Sequence, residues 1–270
     1  MTVANLMANQ IIDYWKVRKT KGFVLKLDIE KVFDIINSDF IDFMLIKKNF
    51  LRKWRKWIKA SIRSVQYSVL INGKPYGRIK PNRGIKQGDP ISPFIFILAM
   101  DYLSNLLIFL QDQTTIKGVV INGQSLINHI LFANNILIFI EDDNNSIRNL
   151  QMALSLFEKA SRLNNHRKSS FTPISVPRER VNNFSNTWDI PCSIFPINYL
   201  GVLLGGKPQS KSFWGSISGK IHKKLDGWKY QHISKGEKLT LLKASLSSIP
   251  TYQLSVFKAS VSVYKDIEKH

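Results

Sequence analysis

The chain has 270 residues, and 44% of them are hydrophobic, which is enough to bury the core of one large domain or two modest ones. Its 39 Lys and Arg outnumber its 19 Asp and Glu, so the net charge is +20. A surplus of this size predicts a polyanionic partner, most simply nucleic acid, with a generally basic surface as the alternative. The single cysteine, Cys192, excludes an internal disulfide, and one cysteine with five histidines excludes a typical zinc site.

Two segments bear on export and membranes. The N-terminal sequence lacks a basic region followed by an apolar run, so we expect no signal peptide and an intracellular protein, nuclear or cytoplasmic and not secreted. Residues 91–110 are nearly long enough to span a bilayer, but Asp101, Ser104 and Asn105 interrupt the segment. We therefore predict a helix buried in protein and no membrane partner.

The first elements in chain order are a strand, a helical region and a hairpin. Residues 22–28 show the alternation of a strand that ends at Asp28. Residues 39–64 have the spacing of an amphipathic helix, and residues 65–80 predict a β-hairpin around Asn72-Gly73, a dipeptide favoured by type I′ turns. The apolar face predicted for the helical region consists of Phe43, Ile46, Phe50, Trp54, Trp57 and Ile58.

The later elements complete a mixed fold. A Gly- and Pro-marked loop leads into the apolar helix, two apolar strands flank Asn134-Asn135, and a second Asn-Gly pair lies at 122–123. Ser146 is the predicted cap of the next helix, residues 197–206 predict a short strand closing on two glycines, and the tail predicts helices. Because strands and helices alternate irregularly with Asn-Gly hairpins, we predict an α+β fold with an antiparallel sheet.

Three pieces of the sequence carry groups suited to nucleotide chemistry. Asp28 ends a strand and Phe33 follows it, and the loop RGIKQGDP places Arg83 beside glycines whose backbone can approach a phosphate or a base. The third piece is Asn134-Asn135 at a hairpin tip. Two-metal nucleotidyl transfer needs carboxylates at neighbouring strand ends, which hold two Mg²⁺ about 3.5–4 Å apart. Each piece alone also has a plain structural interpretation, as a strand cap, a helix entry or a simple turn.

Taken in order, these pieces resemble the reverse transcriptase domain of non-LTR, LINE-type retrotransposons, particularly those of plants. KLDIEKVFD is similar to motif A of that family and RGIKQGDPISPFIF to motif B, and HILFANN lies where motif C reads a histidine and then aromatic-Ala-Asp-Asp. FEKASRLNNHRKSS lies at motif D, YLGVLLGG is similar to the primer grip, and KKLDGWK and LSSIPTY resemble the thumb-side stretch. The resemblance covers nearly the whole chain.

The resemblance implies a right-hand polymerase fold and an RNA-directed DNA polymerase that acts on an RNA template and a DNA primer with two Mg²⁺ ions. It makes Asp28 a metal ligand and catalytic residue, and it puts Asn134 and Asn135 at the positions of two further catalytic aspartates. The implied nucleotide-binding residues are Phe33, Arg83, Gln87, Gly88 and Lys168. The implied primer-binding residues are Tyr199, Leu200 and Gly201.

The resemblance also implies three regions. Residues 1–22 correspond to a remnant of the fingers, residues 23–205 to the palm with a fingers insertion at about 38–82, and residues 206–270 to thumb-side helices. In the family much of the fingers lies upstream of motif A, and an endonuclease precedes it. We therefore expect this chain to be a truncated fragment of such an element.

The motif C position departs from the family. Asparagine suits a hairpin turn, since it tolerates positive φ, but it is neutral where aspartate carries a full charge. A unit charge about 4 Å from another is worth roughly 4 kcal/mol at an effective dielectric of 20, and roughly double against a divalent ion. Glu141, Asp142 and Asp143 lie at the opposite end of the following strand, about 15–20 Å away. We therefore expect an inactive polymerase that does not hold Mg²⁺ productively.

Two other functions fit the sequence. One is a working reverse transcriptase whose missing parts come from a partner. The other is a non-catalytic nucleic-acid-binding protein, in which C-terminal lysines track a phosphate backbone while Trp214, Trp228 and Tyr230 stack on bases. For these aromatic residues the structural alternative is a solvated helix face with a few anchoring rings.

Overall fold

The structure, a computed structural model, describes residues 1–29, 32–121, 125–163, 169–229 and 234–268. The helices are α1 Thr2–Arg18, α2 Val32–Ile35, α3 Ser38–Lys47, α4 Arg52–Arg63, α5 Ser92–Asp112, α6 Asn144–Ser161, α7 Arg178–Trp188, α8 Lys211–Lys229, α9 Lys235–Leu241, α10 Ser248–Leu254 and α11 Val261–Glu268, with a π-helical turn at Leu242–Leu246. The strands are β1 Gly22–Asp28, β2 Tyr67–Ile71, β3 Lys74–Ile79, β4 Val119–Ile121, β5 Ser125–Ile127, β6 His129–Phe132, β7 Asn135–Glu141, β8 Ser170–Ile174, β9 Ile197–Tyr199 and β10 Val202–Leu204.

The chain forms two compact units. One comprises residues 18–193, and the other joins residues 1–17 to residues 194–270. Each unit has a hydrophobic core of its own. The division into fingers remnant, palm and thumb stays a prediction.

The unit of residues 18–193 is built on a four-stranded antiparallel sheet with the strand order β6-β7-β1-β8. β1 pairs with β7 from Gly22 opposite Glu141 to Asp28 opposite Asn135, and its other edge pairs with β8. The two central strands are buried on both faces, which is why β7 reads as an unbroken apolar run in the sequence. The predicted α+β class, the antiparallel sheet and the bounds of the first strand are confirmed.

The predicted helical region 39–64 is two helices, α3 and α4, separated by a turn. Asn49 in that turn lies in the left-handed region, with φ at 58°, and it redirects the chain. Of the predicted apolar face only Ile58 is buried, and Trp54 and Trp57 are about half exposed. That face is wrong because one helical spacing was continued across a turn. The buried residues of α3 are Phe40, Ile41, Met44 and Leu45.

The β2–β3 hairpin forms at the predicted Asn72-Gly73 turn. Both residues have positive φ, 47° and 78°, as a type I′ turn requires. Every residue of the two strands is exposed. The second Asn-Gly pair, at 122–123, lies outside the described residues.

The apolar helix α5 is long and apolar enough to cross a membrane by length and composition. One of its faces packs into the core of the sheet unit, where Ala99, Leu103 and Leu107 are fully buried. The opposite face is exposed, with Phe94 at 67%. The predicted helix is confirmed, but it is buried on one face only.

The N-cap of α6 is Asp143, not the predicted Ser146. The Asp143 carboxylate accepts hydrogen bonds from the backbone N–H and the hydroxyl of Ser146, at 2.9 and 2.8 Å. These two bonds lower the pKa of Asp143. Either residue type suits the position, and the helix starts where the aspartate side chain can reach N3.

The second unit brings α1 together with C-terminal segments of the chain. The Asn5 amide donates to the Tyr252 hydroxyl at 3.0 Å, and Asn9 Oδ1 accepts from the backbone N–H of Gly205 at 3.0 Å. Trp214 is buried, and its indole N–H donates to the Pro208 carbonyl at 2.7 Å. The base-stacking hypothesis is therefore wrong for Trp214, which is an anchoring ring.

Candidate functional site

The strand end at Asp28 lies beside the tip of the β6–β7 hairpin. Asp28 pairs with Asn135 across β1 and β7, and the backbone N–H of Ile29 donates to the carbonyl of Asn134 at 3.0 Å. The structure thus brings together the three residues that the sequence placed at the catalytic positions. Glu141 pairs with Gly22 at the other end of the same ladder, as the strand length predicted.

The hairpin tip is a tight turn at Ala133 and Asn134. Ala133, not an asparagine, takes the left-handed conformation, with φ at 50°. Asn135 is the first residue of β7 and pairs with Phe132 as well as Asp28. The hairpin forms as predicted, and Ala133 supplies the positive φ that asparagine would also tolerate. The Asn134 side chain makes hydrogen bonds with Asp28 at the end of β1 and with Ile29 after it.

The side chains at the tip form a hydrogen-bonded chain that ends on the carboxylate. The Asn134 amide donates to Asp28 Oδ1 at 2.8 Å and to the Ile29 carbonyl at 3.3 Å. The Asn135 amide donates in turn to Asn134 Oδ1 at 3.2 Å. A carboxylate only accepts, so the NH₂ group of Asn134, not its oxygen, must face Asp28. We call this arrangement the amide clasp.

A cavity of about 560 Å³ opens next to the clasp. Phe33 and Gln87 line it, together with Asn134 from the hairpin tip. Phe33 is held by a ring contact with Phe96 of α5 at 6.0 Å between centroids. The cavity therefore joins the predicted motif A aromatic, the motif B glutamine and the motif C position. Its full lining is Ile29, Phe33, Asp34, Gln87, Pro93, Phe96, Ile97, Phe132, Ala133 and Asn134.

Arg83 lies in a different cavity from Gln87. That cavity, of about 340 Å³, lies between the start of α3, the end of α4 and the segment after β3, with Arg63, Lys80 and Arg83 among its lining residues. Gly88 lines neither of these two cavities, and its α-carbon faces open space. The structure thus does not gather the predicted nucleotide-binding residues of the motif B loop at one point.

Gly84 has a role that the sequence did not reveal. A Cβ at this position would lie 2.6 Å from the Asp34 carbonyl and 2.7 Å from the Phe33 carbonyl, and the backbone φ is 82°. The N–H groups of Gly84 and Ile85 donate to carbonyls of residues 33–36, at 2.9 and 2.6 Å. The glycine was expected to admit a phosphate or a base. It admits the backbone that carries Phe33 instead, and so fixes one wall of the larger cavity.

A buried network behind the hairpin also escaped the sequence analysis. Nε2 of His129 is 2.7 Å from the Ser104 hydroxyl of α5, Nδ1 contacts Asn128 Oδ1, and the Asn128 amide donates to the Leu107 carbonyl at 2.8 Å. Burial lowers the pKa of His129 to about 4, so the ring is neutral. Nδ1–H therefore donates to Asn128 and Nε2 accepts from Ser104. In the sequence, the polar residues that interrupt the apolar segment of α5 were the signal that could have revealed this network.

The predicted primer-binding segment is the turn of the β9–β10 hairpin, not a single strand. Leu200 and Gly201 have positive φ, at 49° and 80°, and Gly201 is exposed. Tyr199 is fully buried, and burial raises the pKa of its hydroxyl. Only the turn residues therefore present side chains or backbone to a ligand. Lys168, the predicted motif D lysine, lies outside the described residues.

The sheet, the strand-end carboxylate and the adjoining cavity together are the geometry of a palm-type nucleic-acid polymerase domain. The profile of the family described as reverse transcriptase (RNA-dependent DNA polymerase) matches residues 4–204. The chain belongs to this family, as its motifs predicted.

Relatives with similar sequences come from plants and insects. An uncharacterized mitochondrial protein of Arabidopsis thaliana is 40% identical over 89 residues, which are 33% of this chain and 66% of that protein. The Pol polyprotein of the type-1 retrotransposable element R2 of Popillia japonica is 27% identical over 145 residues, 53% of this chain and 23% of the polyprotein. The chain thus spans just under two thirds of the first relative and about a quarter of the second.

Two solved structures share the fold. Telomerase of Candida albicans, in a complex with a TWJ fragment of telomeric RNA, has a TM-score of 0.50 at 14% identity, over 99% of this chain and 43% of its own. The corresponding complex of Candida tropicalis has a TM-score of 0.51 at 12% identity, over 98% and 44%. At these identities the likeness shows the fold alone, and that fold is the predicted right hand.

Reverse transcriptases generally use divalent metal ions. Among the described residues, the side chains of the amide clasp do not fit such ions. Asp28 is the single carboxylate of the clasp, and the group facing it is an NH₂ donor, which repels a cation. No cluster of three or more His, Cys, Asp or Glu side chains suited to a metal occurs within the described ranges. A hard divalent cation prefers several carboxylate oxygens, and amides occupy two of the three positions that the resemblance implies for its ligands.

Proposed function

We propose that this chain is the reverse transcriptase domain of a plant-type, non-LTR retroelement whose polymerase site no longer works. The observation that carries the proposal is the hydrogen bond from the Asn134 amide to Asp28. It fills the position from which a polymerase aspartate would coordinate Mg²⁺. The expected loss is several factors of ten in rate, at about 1.4 kcal/mol for each factor.

The other predicted residues keep the roles that the resemblance implies. Phe33 lies under the sugar, and Gln87 and Gly88 pack against the incoming nucleotide and the templating base. Support for this comes from the 560 Å³ cavity, which Phe33 and Gln87 line beside Asn134. Arg83 binds the nucleotide and Lys168 binds its triphosphate. Of residues 199–201, Leu200 and Gly201 contact the primer, since Tyr199 is buried. The nucleic acids are an RNA template and a DNA primer.

Primer extension on an RNA template with Mg²⁺ tests the loss of activity. We expect the chain to extend the primer no better than its Asp28→Ala variant, since the clasp already removes the ion site. Extension clearly above that control would overturn the proposal. The double variant Asn134→Asp with Asn135→Asp restores the family's carboxylates and gives the matched positive arm. Repeating the primer extension with Mn²⁺ in place of Mg²⁺ tests whether the result holds for a second divalent ion.

A second candidate function is nucleic-acid binding without catalysis, and the charge distribution favours it. Residues 43–88 contain 13 Lys and Arg and no Asp or Glu, so this segment carries most of the net charge. Exposed Trp54 and Trp57 lie on α4 among these cations. Basic side chains interleaved with exposed aromatic rings are typical of surfaces that bind single strands.

The salt dependence of binding to a labelled single-stranded oligonucleotide tests this second function. If four phosphates are neutralised, affinity falls about 50-fold between 50 and 200 mM salt. Replacing Lys53 and Lys56 by glutamine reduces that slope by about 1.4 units of log affinity per log salt. Binding that is absent, or that does not respond to salt, would overturn the candidate. As a matched control, replacing Lys220 and Lys223 of α8 by glutamine shows whether the salt dependence comes from α4 or from α8.

A further inference from the structure

The β2–β3 hairpin lacks what an isolated hairpin needs for stability. Its two strands form a sheet of their own, and within the described ranges no third strand pairs with either. Val69, Leu70 and Ile71 are 53%, 70% and 53% exposed. A two-stranded hairpin is marginal in water unless another strand or a helix covers an apolar face. The hairpin is therefore suited to receive a further element.

The two edges of the hairpin differ. The ladder alternates between pairs that exchange both hydrogen bonds and pairs whose backbone groups point outward. Ile71 and Lys74 flank the two-residue turn, so they form a pair that exchanges both hydrogen bonds. In the next pair, Leu70 and Pro75 therefore direct their backbone groups to the outer edges. Pro75 has no N–H, and the register shifts between Tyr67 and Val69, where β3 carries the left-handed Gly77. These features hinder pairing of a further strand with the β3 edge, whereas the β2 edge keeps its outward N–H and C=O groups.

The positive charge around the hairpin indicates which kind of partner it can bind. The hairpin lies inside the segment 43–88, which has 13 basic residues and no acidic ones. A second copy of the chain would bring like charges together. A base stacks on aromatic rings, whereas Val69, Leu70 and Ile71 of β2 are aliphatic. The exposed rings of the hairpin, Tyr67 and Tyr76, lie at the start of β2 and on β3. Backbone hydrogen bonds with aliphatic side chains at alternate positions fit an extended polypeptide, and acidic residues in that polypeptide would complement the lysines and arginines.

We propose that the outer edge of β2 docks an extended, acidic polypeptide strand, which completes a three-stranded sheet with β2 and β3. The backbone N–H and C=O of Leu70 bond to the added strand. Its apolar side chains cover Val69 and Ile71, and its carboxylates face the surrounding cations. This binding is independent of the polymerase site and of divalent metal.

A synthetic peptide of alternating glutamate and valine residues is the probe, and amide hydrogen exchange is the readout. We expect bound peptide to slow exchange of the Leu70 amide about tenfold or more, since the N–H moves from water into a ladder. A peptide of alternating lysine and valine should bind at least about tenfold more weakly, because its charge is reversed. Acidic peptide that does not bind, or that binds without slowing exchange in β2, overturns the proposal.

Two substitutions at one position separate the backbone contact from the side chain. Leu70→Pro removes the outward N–H at an edge position where proline is tolerated, so affinity for the acidic peptide should fall about tenfold. Leu70→Ala keeps that N–H and should lose less than about threefold. Unchanged exchange in β1 and β7 shows that both variants are folded. Equal losses in the two variants would overturn the backbone contact.

Two further arms distinguish the other occupants. Oligothymidylate that slows exchange of the Leu70 amide would show a nucleic-acid surface and overturn the proposal. Self-association detected by sedimentation, if Leu70→Pro abolishes it, would show a second copy on the edge and also overturn it. The expected result is that neither the oligonucleotide nor increasing protein concentration changes exchange in β2.

Discussion

The end of β1 and the β2–β3 hairpin belong to one unit of the chain and differ in how their polar groups are satisfied. At Asp28 the carboxylate, two asparagine side chains and the backbone of Ile29 are bonded to one another. In the hairpin all residues of both strands are exposed, and in the described part of the chain no further strand pairs with either edge. The first region is closed within the chain, and the second is open to a partner.

This difference teaches that neutral side chains at a hairpin tip can bond to a strand-end carboxylate while the hairpin keeps its form. The Asn134 amide donates to Asp28 and the Asn135 amide donates to Asn134, so the hairpin tip is bonded to β1 through amides. Within the described residues, three of the 13 cations of the basic segment form salt bridges: Lys48 with Asp101, Arg55 with Asp42 and Arg63 with Asp39. The hydrogen bond from Arg55 lowers the pKa of Asp42. The two regions should therefore respond differently to substitution, metal and pH.

The largest expected effect comes from Gly84→Ala. A left-handed φ costs about 1–2 kcal/mol for a residue with a Cβ, and the contact with two carbonyls adds about 1–3 kcal/mol. We expect a total loss of about 2–5 kcal/mol in the free energy of unfolding, measured by urea denaturation. Gly88→Ala is the matched control, since its φ is 84° and nothing lies within 4 Å of the new Cβ. Equal losses in the two variants would show that the carbonyl contact does not matter.

The next effect is a pH dependence from His129, whose folded pKa is about 4 against 6.5 unfolded. Between these values the unfolded chain binds a proton that the folded chain does not, so stability is complete above pH 6.5 and falls towards pH 4. The shift corresponds to about 3 kcal/mol. The variant His129→Gln should lack this component of the slope. Identical slopes for the two proteins, from chemical denaturation at pH 7 and pH 4.5, would contradict a buried neutral imidazole.

A smaller effect separates the amide clasp from a metal site. Asn134→Asp replaces the donor by a second carboxylate beside Asp28, so we expect a loss of about 1–2 kcal/mol in stability in EDTA. Millimolar Mg²⁺ should recover part of that loss, and it should leave the parent chain unchanged. Asn134→Ala removes the clasp without adding charge and should not respond to Mg²⁺. A parent chain whose melting temperature rises with Mg²⁺ would contradict the clasp.

The smallest effect is expected on α4. Trp57 is 52% exposed and contacts Trp54 and the Lys53 ammonium group. Trp57→Ala should therefore cost less than about 1 kcal/mol by thermal or urea unfolding. A loss above about 2 kcal/mol would indicate that this surface is covered in solution. Such a loss would contradict the contrast between the hydrogen-bonded hairpin tip at Asp28 and the exposed basic segment.

Local patterns predicted the elements whose causes are local. The alternation of residues 22–28 gave β1, and Asn72-Gly73 gave the hairpin, because a type I′ turn depends on two residues alone. The pairing of Asp28 with the 134–135 hairpin followed from motif order. The phase of the helix over 39–64 failed because one residue, Asn49, turns the chain and no spacing rule marks it.

Features that depend on distant backbone could not be predicted from the sequence. The need for glycine at position 84 arises from the carbonyls of residues 33 and 34, which are some 50 positions away along the chain. The neutral state of His129 depends on Ser104 and on burial under α5. The direction of the Asn134 amide depends on the Asp28 carboxylate. In each case the sequence shows the residue type, but it does not show which distant group that residue contacts.

The joining of α1 to residues 194–270 has a consequence for the order of assembly during synthesis. The Asn5 and Tyr252 side chains meet across 247 positions, so the first helix leaves the ribosome roughly 10–50 s before its partner is translated. The last residue of the unit 18–193 is translated before the tail. A nascent chain that stops short of residue 194 would therefore hold a finished sheet and an orphaned leading helix.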